Sequence, residues 1–259
     1  MSPANVHALR VETRRLLALL DLFDPLLPKS PAKKISRCLK KPFKAGGRLR
    51  DMHVMLQTVR QRLGRFPEAK CFKKELQRLE KRLLKKLEQA TEQTRVKRMK
   101  RRMDAFREQL HAAASTLDWR HSALVGLRKR VDKAFADVVA QRRKILPADP
   151  LTIHRTRVAF KKFRYMVEQL QPLLPELPAN RLNRLREYQK LMGDIQDSET
   201  LLTTLDHFLS EEESAGRSLK QFRLAMQHKY AGLIANYLGR ADELFTFWRP
   251  AVAPGRAKS

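Results

Sequence analysis

The residues HALRVETRRLLALLDLFDPLL at 7–27 return as HRTRVAFKKFRYMVEQLQPLL at 154–174, with charge sign or bulk kept at most positions. Self-similarity of this kind constrains architecture before any local reading, because both copies should build the same supersecondary unit. A shift of 147 places His7 on His154, Arg10 on Arg157, Val11 on Val158, and Arg14-Arg15 on Lys161-Lys162. It also sets Asp21 on Glu168 and Pro25-Leu26-Leu27 on Pro172-Leu173-Leu174. A second block follows. GGRLRDMHVML at 46–56 is answered by MGDIQDSETLL at 192–202 with the shift reduced to 146, so Gly47 meets Gly193 and Asp51 meets Asp197. One residue has been gained or lost between the two blocks.

The chain is expected to be all-α. Its nine glycines and thirteen prolines gather at breaks. Between them apolar residues recur at helical spacing, without the alternation that marks a strand. Helices are expected at about 3–26, 31–64 (bent or interrupted at Pro42 and Gly46-Gly47), 67–112, 119–145, 150–173, 179–209 and 215–248. Breaks are expected at residues 27–31, Phe66-Pro67, 115–118, 147–150 and from Pro172 to Pro178, because proline removes a donor and disfavours helix just before itself. The duplication predicts two helical bundles related by a pseudo-twofold axis. They lie within one domain over 1–250, a first half of 1–147 and a second of 150–250, followed by a flexible tail, 251–259.

Charge narrows the choice of partner. The 55 Lys and Arg against 27 Asp and Glu give a net +28, which repels a compact state unless the cations face water or a polyanion. Residues 1–149 carry net +23 and residues 150–259 only +5, so the first half should supply more of the grip. Cys38 and Cys71 stand without a second pair or a histidine cluster, which supports neither a disulfide framework nor a zinc site and fits a reducing cytoplasm. No apolar run approaches the ~20 residues of a membrane span, and no hydrophobic signal segment opens the chain. The phosphate-loop, dinucleotide, zinc-protease and nucleophile-elbow motifs are absent, so neither catalysis nor a cofactor is expected.

The cations are patterned. At ~100° per residue, His7, Arg10 and Arg14 fall within roughly 60° of one another with Arg15 on the flank, while Leu9, Leu16, Leu20 and Phe23 take the other side. In the second copy His154, Arg157 and Lys161 share a stripe opposite Phe160, Phe163, Val167 and Leu170. A twofold axis joining the two stripes would make one continuous cationic surface or channel. The next helix carries Lys33, Arg37, Lys40, Lys44 and Arg48 at spacings of three and four, a like-charge density that phosphates would relieve. RVKRMKRR at 95–102 holds no acid and reads equally as an extension of the anion surface, a nucleic-acid patch or a solvated face. Asp51 and Asp197 read as partners of nearby arginines, Arg48 and Arg50 being candidates.

The paired motifs HxxRVxxRR and HxxRVxxKKFRY, each followed by a Gly-x3-Asp element, resemble the conserved histidine α-helical domain (CHAD) family over nearly the whole chain. The resemblance implies two helical bundles around a central basic groove and binding of inorganic polyphosphate, often at polyphosphate granules. By position it implies the ligands His7, Arg10, Arg14 and Arg15, then His154, Arg157, Lys161, Lys162 and Arg164, with Arg37, Lys40, Lys44 and Arg48 as weaker carry-overs. The chain departs from the family where Gln196-Asp197 stands for an Arg-Asp pair, and Leu17 occupies the first-copy position of Arg164. Without the ExExK mark of a triphosphate-hydrolysing domain, it resembles the stand-alone form, a cytoplasmic binder and not an enzyme, with polyphosphate granule proteins as further partners. A nucleic-acid-binding or architectural protein is the alternative; pI ≈ 10.8 favours it, and the lack of aromatics interleaved with the stripes for base stacking opposes it.

Overall fold

Eight α-helices form among the residues that the computed structural model describes, which are 1–27, 29–94, 96–115, 117–174, 178–212 and 218–249. In chain order they are α1 (Pro3–Phe23), α2 (Ala32–Arg60), α3 (Lys70–Glu92), α4 (Val96–Ala114), α5 (Leu117–Arg142), α6 (Pro150–Leu170), α7 (Ala179–Glu211) and α8 (Lys220–Arg240). No β-strand occurs among the described residues, where one isolated bridge pairs Leu146 with Asp149. None of these helices is long and apolar enough to cross a membrane.

The repeat is visible in the helix ends. α1 and α6 start and stop at the 147-residue shift, as do the 3-10 turns that follow them, Asp24–Leu26 and Gln171–Leu173. Each helix opens on a proline, whose missing amide would be unsatisfied there in any case, preceded by a capping oxygen. Ser2 Oγ accepts from the Asn5 amide at 3.2 Å, and Asp149 Oδ1 accepts from the Leu151 amide at 3.1 Å. Farther on, burial follows the other register. Leu39, Pro42, Gly46, Leu49, Met52, Met55 and Val59 of α2 are buried, and so are Leu185, Tyr188, Met192, Ile195, Ser198, Leu201 and Leu205 of α7 at a shift of 146. Both helices begin at the 147 shift, so the single-residue slip falls before Leu39.

Two expected helices differ. The span 67–112 is a 3-10 turn, Pro67–Ala69, then α3 and α4. At that boundary Thr91 and Thr94 turn their hydroxyls back onto the carbonyls of Leu87 and Ala90, at 2.7 and 3.1 Å. Such β-branched, self-bonding side chains weaken a helix without any glycine or proline to announce it. The last helix stops at Arg240 and tightens into a 3-10 stretch, Ala241–Thr246. There the Ala241 carbonyl accepts from Tyr188 Oη at 2.7 Å. α2 runs as one helix through Pro42 and Gly46-Gly47. The breaks expected at Pro28, Thr116 and 175–177, and the tail 251–259, lie outside the described residues.

The chain divides into two compact units, each drawing on both sequence halves. Unit one comprises Met1–Arg14, Arg37–Arg98 and Leu191–Leu238. Its core joins α2, α3, α7 and α8 through Met52, Met55, Leu56, Val59, Phe66, Phe72, Leu76, Leu201, Leu205, Leu219, Phe222 and Met226. A smaller cluster of Val6, Leu49 and Leu87, flanked by Leu9, Ala45, Leu83 and Leu84, holds the start of α1 against α2 and α3. Unit two comprises Arg15–Ser36, Met99–Lys190 and Gly239–Ser259. Its core is aromatic. Phe160 lies 5.0 Å from Tyr188 and 6.0 Å from Phe247, and Phe163 lies 5.0 Å from Phe135 and 6.0 Å from Trp248, ring to ring. The Trp248 indole N–H donates to Asp132 Oδ1 at 2.6 Å, so its polar edge is satisfied. Phe160, Phe163, Val167 and Leu170 are all buried, the face that their spacing predicts for α6.

Candidate anion-binding site

In unit one, α1 meets α2 beside two glycines, Gly46 and Gly47. Arg10 Nη1 donates to the Phe43 carbonyl at 2.9 Å, and the Arg10 guanidinium lies 4.8 Å from the Phe43 ring centroid. Arg14 stacks on the same ring at 5.4 Å. A Cβ on Gly47 would stand 2.6 Å from Arg10 Nη1, and one on Gly46 would touch Arg10 Cγ and Leu87. Both glycines have negative φ and sit inside a regular helix, so what they supply is room rather than backbone freedom. Phe43, Gly47 and Arg50, at i, i+4 and i+7, share the face of α2 that receives this arginine.

The Gly47 cradle makes a separable prediction. In Gly47→Ala the new methyl displaces only the tip of a flexible side chain, while alanine favours a helix interior by about 1 kcal/mol. Thermal unfolding should therefore show equal or higher stability, and anion affinity should fall roughly 3- to 10-fold as one positioned guanidinium is lost. Unchanged affinity would mean that the position of Arg10 does not matter to binding.

His7 shares this surface. Partial desolvation of its ring, and then the charges of Arg50, Arg14 and Arg10, hold its pKa below the ordinary 6.5. It is therefore largely neutral near pH 7 in the free protein. A bound polyanion would offset those charges and raise the pKa, so binding takes up protons. Affinity should rise as pH falls through the bound-state pKa and level off below the free-state one. Titrations between pH 8 and 5 should show this rise in the wild type and lose it in His7→Asn, which also subtracts the ligand's own titration.

The remaining sequence-predicted cations fall into distinct settings. Arg37, Lys40, Lys44 and Arg48 are exposed along α2 in unit one. In unit two, Arg15 is exposed and His154, Arg157 and Lys161 are half-buried on their helices. Lys162 is exposed and pairs with Asp21 Oδ2 at 2.7 Å, and Arg130 reaches Asp21 Oδ1 at 2.9 Å. Arg164 points inward. Its side chain is 7% exposed, Nη1 bonds Glu168 Oε1 at 2.5 Å, Nε donates to Gln189 Oε1 at 2.7 Å, and the guanidinium lies 4.0 Å from the Tyr165 ring. Its donors are thus engaged in holding α6 to α7. The arginine partners proposed for Asp51 do not materialise: Asp51 is exposed, and no ion pair joins it to Arg48 or Arg50. The Arg50 charge is instead close enough to His7 to help lower its pKa. The contributions of Phe43 and Arg50 were not singled out from sequence, although their i, i+7 spacing about Gly47 marks them as one face.

Fold and site define an all-helical, internally repeated protein whose first repeated helix displays a positioned Arg-Arg-His set. The chain belongs to the CHAD family: the CHAD domain model matches residues 1–206. Among solved structures it is similar to the crystal structure of the CHAD domain from the plant Ricinus communis, with a TM-score of 0.63 and 20% identity, over 96% of this chain and 83% of that one. No curated protein matches the sequence.

Proposed function

We propose that the chain binds inorganic polyphosphate through a cationic groove lined by histidine, arginine and lysine from both repeats, whose bundles are related by a pseudo-twofold axis. It acts in the cytoplasm in association with polyphosphate granules, and it is a binder and not an enzyme. The observation that carries this reading is the Arg10–Phe43–Gly47 contact, which sets Arg10 and Arg14 against one ring of α2 with His7 on the same surface. Membership of the CHAD family, which is linked to polyphosphate binding in general, supports it.

The ligand class follows from physical chemistry. A flexible chain with about one negative charge per phosphate can engage several arginines in turn, each through a bidentate fork. Contacts on one chain act at high effective concentration, so affinity should climb with polymer length until the cations are filled, and should fall with salt. The ligand set on this reading is His7, Arg10, Arg14, Arg15, His154, Arg157, Lys161 and Lys162, with Arg37, Lys40, Lys44 and Arg48 in support. Arg164 positions α6.

A gel shift with polyphosphate of graded length, competed by duplex DNA at equal phosphate concentration and moderate salt, tests the proposal. Long chains should bind far better than short ones and resist DNA. Equal or tighter DNA binding would favour the nucleic-acid reading, for which the exposed Lys97, Arg98, Lys100 and Arg101 of α4 are the supporting observation.

A further inference from the structure

A second cationic surface lies on another side of α2. Lys41, Lys44, Ala45 and Arg48 from α2, with Leu83, Lys86 and Ala90 from α3, line a cleft of about 270 Å³ in unit one. At ~100° per residue, the four α2 residues occupy an arc of roughly 100° centred about 150° from Phe43. They point away from the face that receives Arg10. All four cations are exposed, and among the described residues none has a carboxylate partner. The cleft's other lining side chains, Ala45, Leu83 and Ala90, are apolar and half-buried, so nothing acidic there opposes an anion. Two helices contribute the charge: three cations recur along α2 at spacings of three and four, and Lys86 approaches from α3. The volume lies just below the range of drug-sized ligand pockets, which run from about 300 Å³ upward, and it suits a compact anion of high charge better than a nucleotide with its base.

We propose that this cleft is a separate anion site for a short oligophosphate of the triphosphate class. Lys41, Lys44, Arg48 and Lys86 bind the phosphate oxygens over an apolar floor. The inference goes beyond the polymer reading and shares with it only Lys44 and Arg48. It makes the protein a two-site phosphate binder, with a long chain in the groove that α1 helps to line and a compact anion between α2 and α3.

Calorimetric titration with inorganic triphosphate, in parallel with long-chain polyphosphate, tests it. The wild type should bind triphosphate saturably at one site. Lys41→Ala/Lys86→Ala should weaken triphosphate at least tenfold and change long-chain affinity less than threefold. Arg10→Gln/Arg14→Gln should do the reverse. Absence of saturable triphosphate binding, or an equal triphosphate loss in the two double variants, would overturn the separate site. Triphosphate binding without long-chain binding would support the cleft while removing the polymer reading.

Discussion

Replacing Arg10, Arg14, Arg157 and Lys161 together by glutamate should lower long-chain polyphosphate affinity by at least about 100-fold, or about 2.8 kcal/mol. The four substitutions convert four attractive charges into four repulsive ones. A hydrogen bond to a charged group is worth about 1.5–3 kcal/mol, so even partial engagement of each cation exceeds that threshold. The salt dependence should flatten as well, since fewer counterions are released on binding. Arg10 also donates to the Phe43 carbonyl, and a glutamate there faces an acceptor. A glutamine version of the same four positions keeps a donor at residue 10 and separates lost charge from lost packing. Circular dichroism should show both variants folded. If affinity stays within threefold of wild type in both, the polymer is held elsewhere, and the exposed cations of α4 become the place to look.

The largest stability effect is expected at Glu168. Its carboxylate, 8% exposed, is shared by Arg164 and by Arg186, whose Nε lies 2.9 Å from Glu168 Oε1. Glu168→Ala leaves the Arg164 charge in the helix interface with only the Gln189 oxygen and the Tyr165 ring. Removing one member of a buried pair costs about 3–5 kcal/mol, and urea unfolding should show a loss of that size. Arg186→Ala, at a side chain 52% exposed, should cost under about 1 kcal/mol. Arg164→Met combined with Glu168→Leu should recover most of the stability, because apolar replacement of both partners removes the desolvation penalty along with the attraction. A Glu168→Ala loss no larger than that of Arg186→Ala would show that the pair is solvated in solution.

These two expectations mark what could be read from sequence and what could not. The repeat was legible to the residue: both ends of α1 and α6 and the starts of α2 and α7 keep the 147 shift, and the slip to 146 inferred from two short blocks reappears as a slip in burial along α2 and α7. The apolar face of α6 was legible because four large residues share one side. Arg164 was not. On the helix it borders both the cationic stripe and the apolar face, and its neighbour four residues on reads as an ordinary surface ion pair. Gln189, from a helix distant in sequence, is the partner that the local pattern could not supply for the inward guanidinium. The first repeat lacks this lock because Leu17 stands at the equivalent position, and there Asp21 is paired instead by Lys162 and Arg130 from α6 and α5. The α3–α4 boundary was hidden for a related reason. Threonines bonding their own backbone break a helix more quietly than proline does.

The two compact units also bear on how the chain is made. α1, α2 and α7 each begin in one unit and end in the other, as do α4 and α8 with a few terminal residues. Domains commonly fold one after another as they leave the ribosome, but that route is closed when the first unit needs residues up to Leu238 and the second needs Phe247 and Trp248. On this topology the strongly basic first half is expected to stay incompletely packed until nearly all of the chain has been synthesised. Nascent chains stalled before α8 should therefore be more open to protease across both units than the full chain is.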